Sequence, residues 1–366
     1  MRQPISPVPF LTQIPDWRDH KRSTYPWNAL WVVVLIGLMA GPENILALSQ
    51  WIQLQREELM QCLKLQDVPR QATIYRFFWK LDAHLPQLKA ALLAWVKQQC
   101  PEMQDRVAVL AGDGKVLKGS ARESQSALSF LSVFFHDLSL TVTQVEQGGR
   151  HEAKALQDLL ADLNTLFGES WLLTLDAAYT EQHLTSQVIA AGGDYLVPLK
   201  NNTKALKEWA VIAFSYPTEN VVVDIEHRNG EVWERRTAIL TDVPEAIRAA
   251  LPDVKTLIRR EHRVTRRNGK RTVEVRYAVS SMLLTARQAE DIWRGHWGIE
   301  NRSHHARDTV LHEDRCRMRR GAQGRAALNG VVLGILLNHS RSLTAVVRQI
   351  RVKPIFGLRL LLPELG

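Results

Sequence analysis

Cysteine is scarce: Cys62, Cys100 and Cys316 are the only three in 366 residues. Scattered, odd in number and without paired ligand spacing, they support neither a disulfide framework nor a structural zinc, and they fit a reducing cytoplasm. Long apolar runs are also missing. The run from Ala29 to Ala40 stops at Gly41-Pro42, short of the ~18 residues that a membrane span requires. It reads as a buried helix, and no membrane partner is expected. The N-terminus shows no charged start, apolar stretch and small-residue cleavage site in succession, so secretion is not expected. Neither an internal repeat nor a low-complexity tract occurs. Acidic charge is in deficit, with 38 Asp and Glu against 47 Lys and Arg, a net charge of +9 and a pI near 9.6. Such a balance points to a polyanionic partner such as nucleic acid.

The chain is long enough for a substantial core and for two or three domains. Residues 1 to 105 read as helical: an apolar helix over Trp27–Met39, an amphipathic one over Asn44–Leu63, then Thr73–Leu81 and Leu85–Gln99. Strands follow at Val107–Ala111, Leu128–Phe135 and Leu140–Val145, then a helix at Glu152–Leu166 and a strand at Trp171–Leu175. A helix at Glu181–Ala191 and a strand at Tyr195–Leu199 close this series. The order implies a mixed sheet flanked by helices, an α/β core whose first part covers 106–215. Between Asn220 and Ser281 the pattern is alternating and very basic, with hairpin turns at Asn229-Gly230 and Asn268-Gly269. This reads as a β-rich insertion over 216–285, an excursion away from the sheet. A helix resumes near Ala286 and passes through Glu300; residues 286–366 then supply the last part of the core and C-terminal helices.

Three acids stand in unlike settings: Asp113 in Val-Leu-Ala-Gly-Asp-Gly-Lys, Asp176 in Leu-Leu-Thr-Leu-Asp-Ala and Glu300 in His-Trp-Gly-Ile-Glu-Asn. Asp113 and Asp176 each end an apolar run and precede a small residue, Gly114 or Ala177, as a buried strand delivers a side chain to a sheet's carboxyl edge. Phosphodiester cleavage by two Mg²⁺ ions needs hard oxygen ligands, which carboxylates supply and histidines do not. Asp113 is expected to bridge both ions, Asp176 to complete one shell and Glu300 the other. The competing reading is that each aspartate caps the turn or helix that follows it.

Around Glu300, the residues Trp293, His296, Trp297, His304 and Arg307 recur at spacings of three or four and are expected to share one helix face with it. That face suits stacking of a displaced base and binding of a phosphate, unless the tryptophans only pack the helix on the sheet. Lys115, Lys118 and Lys200 stand at strand ends, where they would neutralise phosphates if they are not simply solvated. Two basic clusters, Arg259 to Arg276 with Arg266 and Arg267 at its turn, and Arg315, Arg317, Arg319 and Arg320, are expected to meet a DNA backbone. His304, His305, His312 and Cys316 match no standard zinc spacing.

At these residues the chain resembles the H-repeat-associated family of bacterial insertion-sequence transposases, members of the wider DDE group with an RNase H-like core. The resemblance covers nearly the whole length. Ile14-Pro15-Asp16-Trp17-Arg18-Asp19 with Tyr25-Pro26 looks like the family's N-terminal associated domain. Asp113-Gly114-Lys115-Val116-Leu117-Lys118-Gly119-Ser120 looks like its first catalytic block, Thr174-Leu175-Asp176-Ala177 its second, and His296-Trp297-Gly298-Ile299-Glu300-Asn301 its third and most specific. Asp194-Tyr195 with Lys200 and Asn202 matches the block between. Where the family has Lys-x-Asn-Glu before its first core helix, this chain has Gly149-Arg150-His151-Glu152. Where Leu-His-Trp is usual after the third acid, Ser303-His304-His305 stands. Asp308, Glu313, Asp314 and Arg317 fit the downstream pattern. In a related group that uses Tyr, Arg, Glu and Lys along this helix, the equivalent spacing lands on Trp293, His296 and Arg307.

The resemblance implies metal-binding roles for Asp113, Asp176 and Glu300, with Mg²⁺ as cofactor and Mn²⁺ able to replace it. It implies nicking at the ends of an insertion element followed by strand transfer. The partners would be double-stranded DNA, as terminal inverted repeats and target, and a second copy of the chain in a synaptic homodimer. Two other classes are an idle domesticated DNA-binding protein, which would have lost at least one acid, and an RNase H-type nuclease without strand transfer.

Overall fold

A computed structural model of the chain describes residues 5–19, 21, 23–100, 106–147, 152–176, 182–340 and 342–362. Ala177, Glu181 and Gly149-Arg150-His151, which enter the sequence reading, lie outside the described residues. Helices α1 (Val8–Leu11), α2 (Trp27–Met39), α3 (Ile45–Leu54), α4 (Arg56–Leu63), α5 (Gln71–Asp82) and α6 (Leu85–Gln99) come first. Then follow β1 (Ala108–Leu117), β2 (Leu128–Phe135), β3 (Leu140–Gln147), α7 (Glu152–Phe167), β4 (Trp171–Leu175), α8 (Gln182–Ala190), β5 (Asp194–Leu199) and α9 (Lys204–Ala213). The chain continues through β6 (Val221–Arg228), β7 (Glu231–Leu240), α10 (Glu245–Ala250), β8 (Thr256–Thr265), β9 (Arg271–Ser280) and α11 (Ala286–Gly298). After a π-helical turn, Ile299–His304, come α12 (His305–Thr309), α13 (Ala322–His339), α14 (Leu343–Val352) and α15 (Ile355–Leu361).

The strands form one mixed nine-stranded sheet in the order β3-β2-β1-β4-β5-β9-β8-β7-β6. This corrects the expectation of an insertion lying away from the sheet, because β9 pairs antiparallel with β5 and β8, β7 and β6 follow it outward. The basic segment extends the sheet because the inner halves of its strands are apolar: Leu257, Ile258, Ala278 and Val279 are fully buried. The Asn229-Gly230 turn has positive φ at both residues, 51° and 78°, the conformation a tight two-residue hairpin demands.

The chain divides into two compact units that cut across the expected domain boundaries. One comprises Met103–Asp113 and Leu163–Ile299. In it β1, β4 and β5 run parallel, with Val109 opposite Leu172, Gly112 opposite Leu175 and Thr174 opposite Leu196. Helix α11 starts at a capping box, Thr285 with Gln288, and lays Ala289, Ile292 and Trp293 against Leu172, Leu196, Ile239, Ile258 and Ala278. The spacing of that helical stripe matches one face of an α-helix, which fixes the face of the sheet that α11 covers.

The other unit comprises Met1–Glu102, Gly114–Asp162 and Glu300–Gly366. Within this unit the helical segment expected over 1–105 packs with the far end of the sequence, α2 meeting α13, α14 and α15. Helix α2 is apolar all round and every residue from Ala29 to Met39 is buried, so it needs partners on all sides. The amphipathic segment expected over Asn44–Leu63 is two helices, interrupted at Gln55. Trp17, Trp27, Trp31 and Phe77 form an aromatic cluster beside them, with Trp27 and Trp31 edge to face at 5.4 Å.

The start of α13 depends on a distant carboxylate. Asp82, at the end of α5, accepts hydrogen bonds from the backbone N–H groups of Gly321 and Gly324, two of the donors that a helix N-terminus leaves unpaired. Gly321 has φ +84°, and a Cβ there would lie 2.8 Å from the backbone of Phe78. Gly321→Ala is therefore expected to destabilise the protein by more than about 1 kcal/mol, read as a lower urea midpoint; an unchanged midpoint would refute the tight approach.

Candidate active site

Strand alternation positions the site. Register partners in a parallel sheet point to the same side, and so do residues two apart along one strand. Val109 and Leu172, with Leu196 of β5, face α11. Two residues on, Ala111, Thr174 and Pro198 face the same way, and two further, Asp113, Asp176 and Lys200. One face thus passes from an apolar layer to a charged one over four residues, towards the carboxyl ends of all three strands. Asp176 directly follows the last residue of β4. Asp113 follows the last β1 residue paired with β4, although β1 itself continues to Leu117, past the expected end at Ala111. Gly112 permits the close pairing there, since a Cβ on it would lie 2.7 Å from Leu175 Cδ2.

The charges interlock. Lys200 Nζ stands 2.7 Å from Asp176 Oδ1, with both side chains about half exposed. His296 closes the α11 stripe begun by Ala289, Ile292 and Trp293 and is buried. Its Nδ1 is 2.9 Å from Thr174 Oγ1, and the Thr174 hydroxyl donates to the Leu110 carbonyl at 3.0 Å. Burial holds the imidazole below its usual range, outweighing Asp113 and Asp176, which favour the cation, while Lys200 opposes them. Neutral imidazole beside two carboxylates follows from that balance.

Two carboxylates leaving adjacent parallel strands offer the hard oxygen donors that a divalent cation takes. Among the described residues no group of three His, Cys, Asp or Glu side chains is gathered closely enough to hold a metal ion. Glu300 is exposed and sits in the π-helical turn that follows α11, as the first residue of the other unit. A π turn carries an extra residue per turn, which shifts helical phase by about 100°. The regular α-helical spacing expected from Trp293 to Arg307 is therefore interrupted at Ile299–His304.

Several expected DNA contacts are withdrawn from solvent. Trp293 is 4% exposed within the core of its unit. Trp297 has the Arg260 guanidinium 5.4 Å and the Arg276 guanidinium 5.1 Å from its ring centre, so base stacking meets competition. Arg260 itself is buried and paired at 2.6 Å with Glu290, which also accepts from Thr237. Within the other unit, Lys115 is buried, 2.5 Å from Asp308 and 3.9 Å from Glu313. Arg307, 1% exposed, grips Glu313 with two bonds of 2.8 Å, and Asn329 adds a third at 2.9 Å. Lys115, Arg307, Trp293 and His296, each expected to contact DNA, are thus enclosed and already engaged within the protein.

The remaining basic residues differ among themselves. Lys118, Arg266, Arg267, Arg315, Arg317 and Arg320 are exposed. Arg266 and Arg315 also carry ion pairs with Glu231 and Glu43, and Arg320 lies over the Trp79 ring. Arg319 is committed to the Ser120 and Ser126 carbonyls. Sequence reasoning quoted Thr174 but gave it no role. The signal was present: one hydroxyl residue inside the otherwise aliphatic Trp-Leu-Leu-Thr-Leu, two before the acid. Asp308 and Glu313, noted only as fitting a pattern, prove to be the partners of Lys115.

For Glu313, burial works to raise its pKa, but the Arg307 cation and its hydrogen bonds, with Lys115 and Asn329, hold it below the usual carboxylate range. A depressed folded pKa contributes stability above the unfolded value near 4.3 that is lost as pH falls through the folded one. Arg307→Met leaves this buried carboxylate without its main partner and is expected to cost about 3–5 kcal/mol. Urea unfolding at pH 7 measures it, and a loss below about 1 kcal/mol would show that the pair is dispensable.

Comparison with known proteins bears on this geometry. Residues 8–96 match the family model described as DDE_Tnp_1-associated, and residues 123–337 match the one described as transposase DDE domain. The "Putative protein YbfL" of Escherichia coli (strain K12) is 24% identical over 345 residues, spanning 90% of this chain and 89% of that protein. The "H repeat-associated putative transposase YhhI" of the same strain is 24% identical over 344 residues, with the same coverage of both chains. Among solved structures, a piggyBac transposase synaptic complex with hairpin DNA aligns at a TM-score of 0.44 and 11% identity, over 98% of this chain and 82% of that one.

Proposed function

Since this chain belongs to the transposase DDE family, we propose that it nicks the ends of its own insertion element and transfers the freed strands to target DNA. The observation that carries the reading is the charged layer itself: Asp113 and Asp176 on one face of paired parallel strands, with Lys200 on Asp176. Glu300 joins them on the strength of its sequence block alone. These carboxylates would hold divalent ions, Mg²⁺ in the cell with Mn²⁺ as a substitute. When bound, such a metal pair activates the attacking oxygen and stabilises the leaving one.

The chain's own residues do the rest. Asp113 and Asp176 fix the donor positions from rigid strands, which is more accurate than presentation from loops. The Lys200 ammonium limits repulsion between the carboxylates and stands ready for a phosphate oxygen. Lys118, Arg266, Arg267, Arg315, Arg317 and Arg320 supply the exposed cations for duplex DNA, both terminal inverted repeats and target. The mixed sheet with helices around β1 to β5 supports an RNase H-like core. The enzyme acts in the cytoplasm on nucleoid DNA, as a homodimer that pairs two element ends.

Replacing a carboxylate by its amide keeps shape and removes the charge a cation needs. Asp113→Asn, Asp176→Asn and Glu300→Gln are each expected to abolish nicking of a terminal-repeat duplex in Mg²⁺ while leaving duplex binding nearly intact. Normal nicking by any of the three removes that acid from the reading. Binding should also weaken with salt, with a log–log slope of about −5 if the six exposed cations each neutralise one phosphate. A flat salt response would exclude them as the DNA surface.

A further inference from the structure

The layer just beneath the acids holds a hydrogen-bonded chain to which the carboxylate chemistry gives no role. A threonine hydroxyl has one proton to donate. Thr174 gives it to the Leu110 carbonyl on β1, so its oxygen must accept from His296, and the ring proton therefore resides on Nδ1. The sequence of bonds is directional: His296 Nδ1–H to Thr174 Oγ1, then Thr174 O–H to Leu110 O. It ties α11, β4 and β1 together at a single level, two residues before Asp176 and three before Asp113.

Each link is enclosed. Thr174 is 1% and His296 8% exposed, so water does not replace a lost bond cheaply. The apolar layer of Val109, Leu172, Ile292 and Trp293 below would hold the three elements together without it. A polar link in this position is redundant for burial but sets the rotation of β4 and the depth of α11 where the carboxylates emerge.

We propose that Thr174 and His296 are a positioning pair that sets the spacing of Asp113 and Asp176 for metal binding and cleavage. The inference rests on the carboxylate reading above and extends it to two residues that touch neither substrate nor metal. It makes α11 part of the catalytic support through one ring nitrogen, not through the DNA contact first expected of His296. Thr174 and His296 act through the strands that carry the acids; outer groups that orient metal-ligating side chains cost about 10–100-fold in metal affinity or activity when lost.

The test compares Thr174→Val, which keeps shape and loses the hydroxyl, with Thr174→Ser, which restores it. Two readouts apply: kcat and KM for nicking of a terminal-repeat duplex, and the Mg²⁺ concentration that half-saturates the rise in Tm of the DNA-free protein. For Thr174→Val we expect kcat to fall roughly 10–100-fold and the Mg²⁺ midpoint to rise by a similar factor, with KM unchanged. Thr174→Ser should return both to within about threefold, since the hydroxyl is the group at issue. A second pair covers the case in which Thr174→Val does not fold: His296→Asn keeps an N–H near the Nδ1 position, His296→Phe has none. The asparagine variant should be at least about tenfold more active. Parental kcat and Mg²⁺ midpoint in Thr174→Val, or equal activity of the two His296 variants, would overturn the proposal. Asp113→Asn in the same assay separates the two levels. If it nicks normally the carboxylate reading itself has failed, whereas if it is dead and Thr174→Val is fully active, only the positioning pair has.

Discussion

One sheet face governs this molecule's chemistry. Because β1 and β4 pair in parallel with Val109 opposite Leu172, alternation alone decides that Asp113 and Asp176 share a side, and the Ile292 and Trp293 packing decides that this side belongs to α11. A one-residue slip of β4 would turn Thr174 and Asp176 to the opposite face. The slip is resisted by Leu172 and Trp171, both fully buried, whose exchange of faces would disrupt two packed layers. The acids are thus held by hydrophobic burial two to four residues away, and the burial is strong because it lies where charge does not.

Charge elsewhere is managed by enclosure. The basic excess of the chain suggests a positive surface, yet a few of its cations are internal and paired: Arg260 with Glu290, Arg307 with Glu313 and Lys115 with Asp308. Enclosed pairs of this type contribute little net stability but are expensive to break, so they act as registration devices within each unit. The Arg260 and Arg276 guanidinium groups near the Trp297 ring add an attraction that is worth more when desolvated. A charge count therefore overstates the surface available to a polyanion, and the exposed remainder is the part that matters for binding.

Much of the fold was legible because its signals were local. The alternation of strands and helices from Val107 to Leu199, the apolar helix over Trp27–Met39 and the Asn229-Gly230 turn all follow from periodicity and turn chemistry, and each is present, with β1 running on to Leu117 past its expected end. What escaped were consequences of distant packing. The basic hairpins join the main sheet because β9 pairs with β5 and because Ile258 and Ala278 bury against α11, which no local pattern announces. The helical N-terminus shares a unit with the C-terminal helices because α2, apolar on every side, requires partners that only the far end of the chain supplies.

The same division holds at the site. Residue type and spacing set which groups are available: hard carboxylate donors after apolar strands, a lysine after the third parallel strand and a histidine on α11. Which of these groups meet is a matter of long-range packing. It placed Lys200 on Asp176 and His296 on Thr174, and it enclosed Arg307 and Lys115 with Glu313 and Asp308. The reason is physical: residue type sets what a side chain is able to do, whereas its partners and its share of water are set by elements brought together from far apart in the chain.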